Sequence, residues 1–376
     1  MSKLRKIGYS LKDVAIIPAV VSEIRHRGDI DPYINVCGRK TYPIFVAPMA
    51  AVTDERNYKA WIDNKVTPVI PRSVMERLSL EERLNLAEET FVSLSLTEAE
   101  EFAGYEIPSE MNKKYICIDI ANGHMKALLD VCKRIHDGYG KNVEIMTGNI
   151  ANPRIYPELF KAGISWIRCG IGTGSRCTSS NSLGVHFPAA TLIDELAEAK
   201  EQFWLTHNFG NTDVDYDDLP KIVLDGGLNW YDDISKGIAL GADAVMIGKM
   251  FAECEEACGQ VLYSKSEEDF ELGIGYFEDE LYNLTPDQKD ELTPYRNYAG
   301  MSHRSMQKIT GGDGSKVSEG IVKPVKVKYP VEHFMENVNA YLRSAMSYAG
   351  AQNIPTFRVR TDFIIYGGVT SQILQK

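Results

Sequence analysis

Along the chain, short apolar runs rich in β-branched residues recur between turn-forming residues: PIFVAP (43–48), VTPVIP (66–71), TFVSLSL (90–96), KYICIDI (114–120), NVEIMTGN (142–149), SWIRCGI (165–171), KIVLDGG (221–227) and AVMIGK (244–249). Strands buried on both faces read this way, as near-continuous apolar runs with little alternation. Most are separated by stretches of helical periodicity, among them TEAEEFAG, MKALLDVCKRIHDGYG, PRIYPELFKAG and YDDISKGIALG. Eight strand-then-helix units predict an α/β fold, a closed (β/α)8 TIM barrel. Strand starts lie roughly 23–28 residues apart, the size of one βα unit, except for about 55 residues between the sixth and seventh. Barrel chemistry gathers on the loops after the strands' C-terminal ends, so that long interval is predicted to hold a catalytic loop.

After the eighth strand the rhythm stops. The acidic, aromatic stretch SKSEEDFELGIGYFEDELYNLTPDQKDELTPYRNYAGMSH suits a mobile flap, placed with its insert at about 260–330. The segment 331–350, VEHFMENVNAYLRSAMSYAG, has apolar residues at helical spacing and reads as a helix that closes the core or packs on a neighbouring subunit. Residues 1–376 read as a single barrel domain.

Charge and composition then narrow the function. Among 376 residues, 41 Lys and Arg against 52 Asp and Glu leave a net charge of −11, a field that repels nucleic-acid backbones and anionic lipid. No apolar run approaches the ~20 residues of a membrane span. The opening MSKLRKIGYSLKDVAIIPAV does not resemble a secretory signal. Seven scattered cysteines without a CxxC pair read as free thiols of a reduced, cytoplasmic chain.

Candidate chemistry clusters on three loops. After the sixth strand, GIGTGSRCTSSNSLG (170–184) surrounds Cys177 with glycines and hydroxyl residues, which cannot form a core. Such a loop turns backbone N–H and carbonyl groups inward toward an ion, and a thiol presented there is placed to act as a nucleophile. The other six cysteines read as small buried hydrophobes. The seventh strand ends in Asp225-Gly226-Gly227 and the eighth in Gly248-Lys249. Glycines after the last two barrel strands match the phosphate cradle of this architecture, and Asp225 is suited to accept from ribose hydroxyls.

KDVAIIPA, VAPMAAVTD, CIDIANGH, MTGNIANP, CGIGTGSRCTS, LDGGLNWYDDISKGIALGADAVMIGKMFA, YAGMSHRSMQK, SEG and YLRSAMSYAGAQN occur in the order found in the IMP dehydrogenase and GMP reductase family, over roughly residues 8–355. The resemblance implies a purine nucleoside monophosphate bound at the barrel mouth, a nicotinamide dinucleotide and a homotetramer. It implies that Cys177 attacks C2 of the base. Ser175, Asp225, Gly226, Gly227, Gly248, Lys249, Tyr298, Gly300, Met301 and Ser302 would hold the nucleotide. Asp119, Ala121 and Gly170 would meet the cofactor, and carbonyls of Gly172, Gly174 and Cys177 would ring a monovalent cation such as K+. No GxGxxG follows a strand, which excludes a separate Rossmann domain and leaves the dinucleotide to the barrel loops.

Within that family the chain looks more like the reductase, which deaminates GMP to IMP with NADPH, than the dehydrogenase, which oxidises IMP to XMP with NAD. VIPRSVMERLSLEERLNLAEETFVSLSL runs straight from strand to helix to strand, without room for the inserted CBS domain pair of most dehydrogenases. The segment after Gln307 lacks the dehydrogenase Arg-Tyr pair and has Ser318-Glu319-Gly320, similar to the reductase segment whose glutamate handles the ammonia proton. The catalytic set implied is Cys177, Ser179 and Glu319. Departures exist: Cys177-Thr178-Ser179-Ser180 replaces Cys-Thr-Thr-Arg, Thr173 stands for a proline, and VAPMAAVTD resembles the dehydrogenase form. The stretch 203–221, FWLTHNFGNTDVDYDDLPK, matches no family segment. An IMP dehydrogenase, a relative acting on a modified purine nucleotide and a binding protein without catalysis stay open as alternatives.

Overall fold

The structure, a computed structural model, describes residues 7–105, 111–173, 183–209, 214–299 and 322–366. Eight parallel strands close into a barrel: Ile44–Val46, Thr67–Ile70, Phe91–Leu94, Lys114–Asp119, Val143–Ile150, Trp166–Cys169, Lys221–Asp225 and Ala244–Ile247. Each falls in one of the eight predicted segments, except that the fifth runs one residue past its predicted end at 149. The ring closes where Val245 pairs with Ile44, so the eighth strand lies beside the first. Helices Leu96–Phe102, Lys126–Tyr139, Tyr156–Lys161 and Tyr231–Ala239 occupy predicted helical stretches.

Two apolar layers hold this arrangement. Inside the barrel, Phe45, Phe91 and Trp166 pack edge to face, with centroids of Phe45 and Trp166 5.1 Å apart. Below them the barrel is stoppered by the hairpin of Ile34–Val36 and Arg39–Thr41. Its two-residue turn puts Cys37 and Gly38 at φ 50° and 70°, the left-handed pair that matches strand twist. Outside the barrel, Trp61, Phe251 and Phe334 pack edge to face between barrel and helices.

The helix Val331–Tyr348 buries Phe334, Met335, Val338, Leu342 and Met346 and packs along the Tyr231–Ala239 helix. Among the described residues of the stretch expected to hold the flap, Val261–Ser264, Thr293–Ala299 and Val322–Lys326 form a three-stranded antiparallel sheet. Short helical turns Glu267–Glu271, Glu278–Asn283 and Pro286–Asp290 lie between its first two strands. The first strand is short and the third distant in sequence, so neither shows the βα rhythm.

The stretch 203–221 continues the long helix Ala189–Phe209 and resumes in a turn at Tyr216–Asp218. It covers a buried charge cluster at the strands' N-terminal end. Lys200 Nζ donates to Asp243 Oδ2 at 3.0 Å and lies 5.0 Å from the Tyr216 ring centroid, and Arg358 pairs with Asp243 Oδ1. Finally, Val14–Ile17 pairs antiparallel with Asp362–Ile365, placing these distant segments side by side.

Candidate functional site

Side chains two apart on a strand share a face, so the barrel interior can be read upward from its aromatic layer. Trp166 leads to Arg168, Tyr115 to Cys117 and Asp119, and Val223 to Asp225. The interior therefore changes from aromatic to ionic at the C-terminal ends. Arg168, only 6% exposed, donates from Nη1 to Asp119 Oδ1 at 2.6 Å. Its Nη2 and Nε donate to Asp225 Oδ2 at 2.8 and 3.1 Å. Asn149 Nδ2 adds a bond to the same Asp225 oxygen at 2.8 Å and another to the Gly170 carbonyl at 2.9 Å.

One guanidinium thus bridges carboxylates from the fourth and seventh strands. Burial works to raise the Asp119 carboxyl, but the positive charge of Arg168, with Arg72 beside it, outweighs that and holds it below the usual carboxylate range. The two carboxylates keep the Arg168 guanidinium charged despite complete burial. Arg72 Nε lies 3.8 Å from Asp119 Oδ2 and, although buried, has no hydrogen-bond partner among the described residues.

Beside this cluster a cleft opens at the ends of the seventh and eighth strands, lined by Gly226, Gly227, Asn229, Gly248, Lys249 and Tyr298, with Leu228 and Met246 beneath. Gly226 and Gly227 have φ 88° and 80°, which only glycine adopts without strain. Thr173 Oγ1 donates to the Asp225 carbonyl at 3.0 Å, and a side chain at Gly227 would sit 3.2 Å from the Thr173 carbonyl. Asn229 Nδ2 donates to the Gly227 carbonyl at 3.2 Å, while the Asn229 and Trp230 amides are capped by Asp233 Oδ2. Across the cleft, the hydroxyl of the buried Tyr298 lies against Gly248, where a Cβ would collide with it and come within 2.8 Å of Met49 Sδ.

The structure thus brings together five residues expected to hold a nucleotide: Gly226, Gly227, Gly248, Lys249 and Tyr298. Asp225 stands beside them with Oδ2 committed and Oδ1 accepting no hydrogen bond from a described residue. Of the expected cofactor residues, Asp119 is bound to Arg168 and Ala121 is exposed on the following turn. That turn is held by Gly123, whose N–H donates to the Asn149 carbonyl at 2.8 Å. Gly170, at φ 127°, presses against the Asp225 carbonyl. Gly172, at φ 73°, is half-buried. Gly174, Ser175, Cys177, Ser179, Gly300, Met301, Ser302 and Glu319 lie outside the described residues. The described chain reaches Thr173 beside Asp225 on one side, and Ala299 and Val322, paired in register, on the other.

Sequence reading missed Arg168, Asn149, Arg72 and Asn229. A signal existed for the first: an arginine inside an apolar strand run requires buried acidic partners.

The model of the IMP dehydrogenase / GMP reductase domain matches residues 99–372. An inosine-5'-monophosphate dehydrogenase of Chlorobaculum parvum is 30% identical over 250 residues, which is 66% of this chain and 44% of that protein. A GMP reductase of Buchnera aphidicola subsp. Schizaphis graminum is 29% identical over 262 residues, 69% of this chain and 62% of that protein. GMP reductase 2 of Homo sapiens matches to the same extent, 29% over 262 residues. The chain spans less than half the length of the dehydrogenase and under two thirds of the reductases. With the closed barrel and the glycine-lined cleft at its mouth, the match over most of the sequence places this chain in the IMP dehydrogenase / GMP reductase family.

Proposed function

We propose that the chain is a GMP reductase-type oxidoreductase, converting GMP to IMP and ammonia with NADPH through a covalent intermediate on Cys177. The observation that supports this most is the cleft where Gly226, Gly227, Gly248 and Lys249 meet Tyr298. Backbone groups exposed by the glycines, with the Lys249 ammonium as a point charge, suit a nucleotide 5′-phosphate. Asp225 Oδ1 suits a ribose hydroxyl, its carboxylate held in place by Arg168 and Asn149. Ser175, Gly300, Met301 and Ser302 complete the contacts to the nucleotide.

The residues around Asp119 fit a nicotinamide dinucleotide. The buried Arg72 Nε, with no hydrogen-bond partner among the described residues, offers a donor to a ribose or carboxamide oxygen, and the turn at Ala121 is exposed. When bound, the dinucleotide supplies the hydride. Cys177 forms the bond to C2 of the base, dividing one difficult displacement into two easier steps. Glu319 with the Ser179 hydroxyl moves the proton of the departing ammonia. Carbonyls of Gly172, Gly174 and Cys177 hold a monovalent cation, K+, that steadies the loop. The enzyme acts as a cytoplasmic homotetramer.

Purified protein incubated with GMP and NADPH, and separately with IMP and NAD, tests the reading through the absorbance of reduced nicotinamide. GMP-dependent NADPH oxidation yielding IMP and ammonia is expected. XMP from IMP and NAD, with no GMP-dependent oxidation, replaces the reductase by the dehydrogenase. That second reading is supported by the dehydrogenase-like VAPMAAVTD segment (46–54), whose Met49 packs at the cleft beside Gly248.

A further inference from the structure

Arg296 lies in Thr293–Ala299, the middle strand of the outer sheet, and is 1% exposed. Among the described residues no carboxylate forms an ion pair with it. Its guanidinium donates instead to four backbone carbonyls: Ala252 and Gly259 at 2.7 Å, Cys254 at 2.8 Å and Glu255 at 3.3 Å. These carbonyls belong to the turn that leaves the short helix Lys249–Ala252, directly after Gly248 and Lys249 of the cleft. The turn is shaped to receive it, since a side chain at Gly259 would meet Arg296 Cγ and Cδ at 2.8 and 2.6 Å. Two residues further along the same strand, on the same face, Tyr298 lays its hydroxyl against Gly248.

An apolar side chain would hold a sheet edge with less desolvation than a buried guanidinium without a counter-ion. Four directional hydrogen bonds do something an apolar contact does not: they fix the strand's distance and register against the turn. We propose that Arg296 is a positioning residue of the nucleotide cleft, clamping the outer sheet to the turn after the eighth strand so that Tyr298 closes over Gly248. The proposal rests on the reading of that cleft as the nucleotide site.

The test uses the full chain with Arg296→Met, Arg296→Lys, Tyr298→Phe and the double variant Arg296→Met/Tyr298→Phe. GMP and IMP affinities are measured by calorimetry, and KM and kcat from turnover. Tyr298→Phe and Arg296→Met each weaken nucleotide about tenfold, the scale of one lost hydrogen bond of good geometry. In the double variant the Arg296 change costs less than about threefold further, because the group it positions is already missing. KM rises while kcat changes little, and Arg296→Lys, which keeps the charge and part of the clamp, falls between wild type and Met. Additive losses, or unchanged affinity in both Arg296 variants, overturn the proposal and leave the nucleotide reading standing. A wild type that binds neither nucleotide overturns both. If Arg296→Met does not fold, the same coupling is read with Arg296→Lys.

Discussion

At the mouth of the barrel one buried guanidinium, Arg168, sits between two carboxylates; at the opposite end one buried carboxylate, Asp243, sits between two cations. Both clusters are tied into the barrel, yet they differ in what they leave over. At the base, Asp243 Oδ2 takes Lys200 and the Ile222 amide and Oδ1 takes Arg358, so both oxygens are occupied. At the mouth, among the described residues, Asp225 Oδ1 accepts no hydrogen bond and the buried Arg72 Nε donates none. A closed set of bonds fastens elements together. An incomplete one, beside a cleft lined with glycine, suits the nucleotide site proposed for it.

The comparison breaks most visibly at Arg168. Arg168→Met leaves Asp225 without its counter-charge and Asp119 with Arg72 alone, and about 3–5 kcal/mol of stability should be lost, with nucleotide binding, in denaturant melts and calorimetry. Near-normal nucleotide affinity in that variant would show that the cluster only supports the barrel. At the base, Asp243→Asn should cost about 3 kcal/mol by stranding Lys200, while kcat and KM of the folded fraction stay at wild-type values. Lost activity there would erase the distinction.

Acid separates the ends next. Burial pushes Asp243 up, but Lys200 and Arg358 bring it down from 3.8 to about 2. A depressed carboxyl contributes stability above its unfolded pKa and loses it as pH falls through the folded one. On the order of 2 kcal/mol should therefore disappear between about pH 4 and 2, and this loss should be absent from Asp243→Asn. Equal acid sensitivity in both proteins would assign the transition elsewhere. The smallest effect on folding belongs to Gly248→Ala. Its Cβ displaces the Tyr298 hydroxyl, so stability should fall by about 1–2 kcal/mol while nucleotide affinity drops tenfold or more. Unchanged affinity would remove Tyr298 from the site.

The eight barrel strands were legible because parallel strands, buried on both faces, leave uninterrupted apolar runs between turn residues. The glycines of the cleft were legible because two glycine-rich strand ends stand next to each other in chain order. Arg168 was not, since its partners Asp119 and Asp225 lie 49 and 57 residues away and only the register of the closed barrel brings them level. The outer sheet was missed for a related reason. Its middle strand begins with Thr293-Pro294 and pairs across short, polar neighbours, a pattern that reads as loop.

The ribbon joining Val14–Ile17 to Asp362–Ile365 spans almost the whole chain. Before folding, those four-residue strands wander independently, and no local sequence brings them together. The cost of closing so long a loop grows only with the logarithm of its length, but it must be met before the pairing returns anything. Curling the intervening chain into a barrel meets most of that cost in advance, because it delivers both strands to one place. The ribbon is therefore a late-forming seam, and amide protection along it marks the moment at which the barrel has closed.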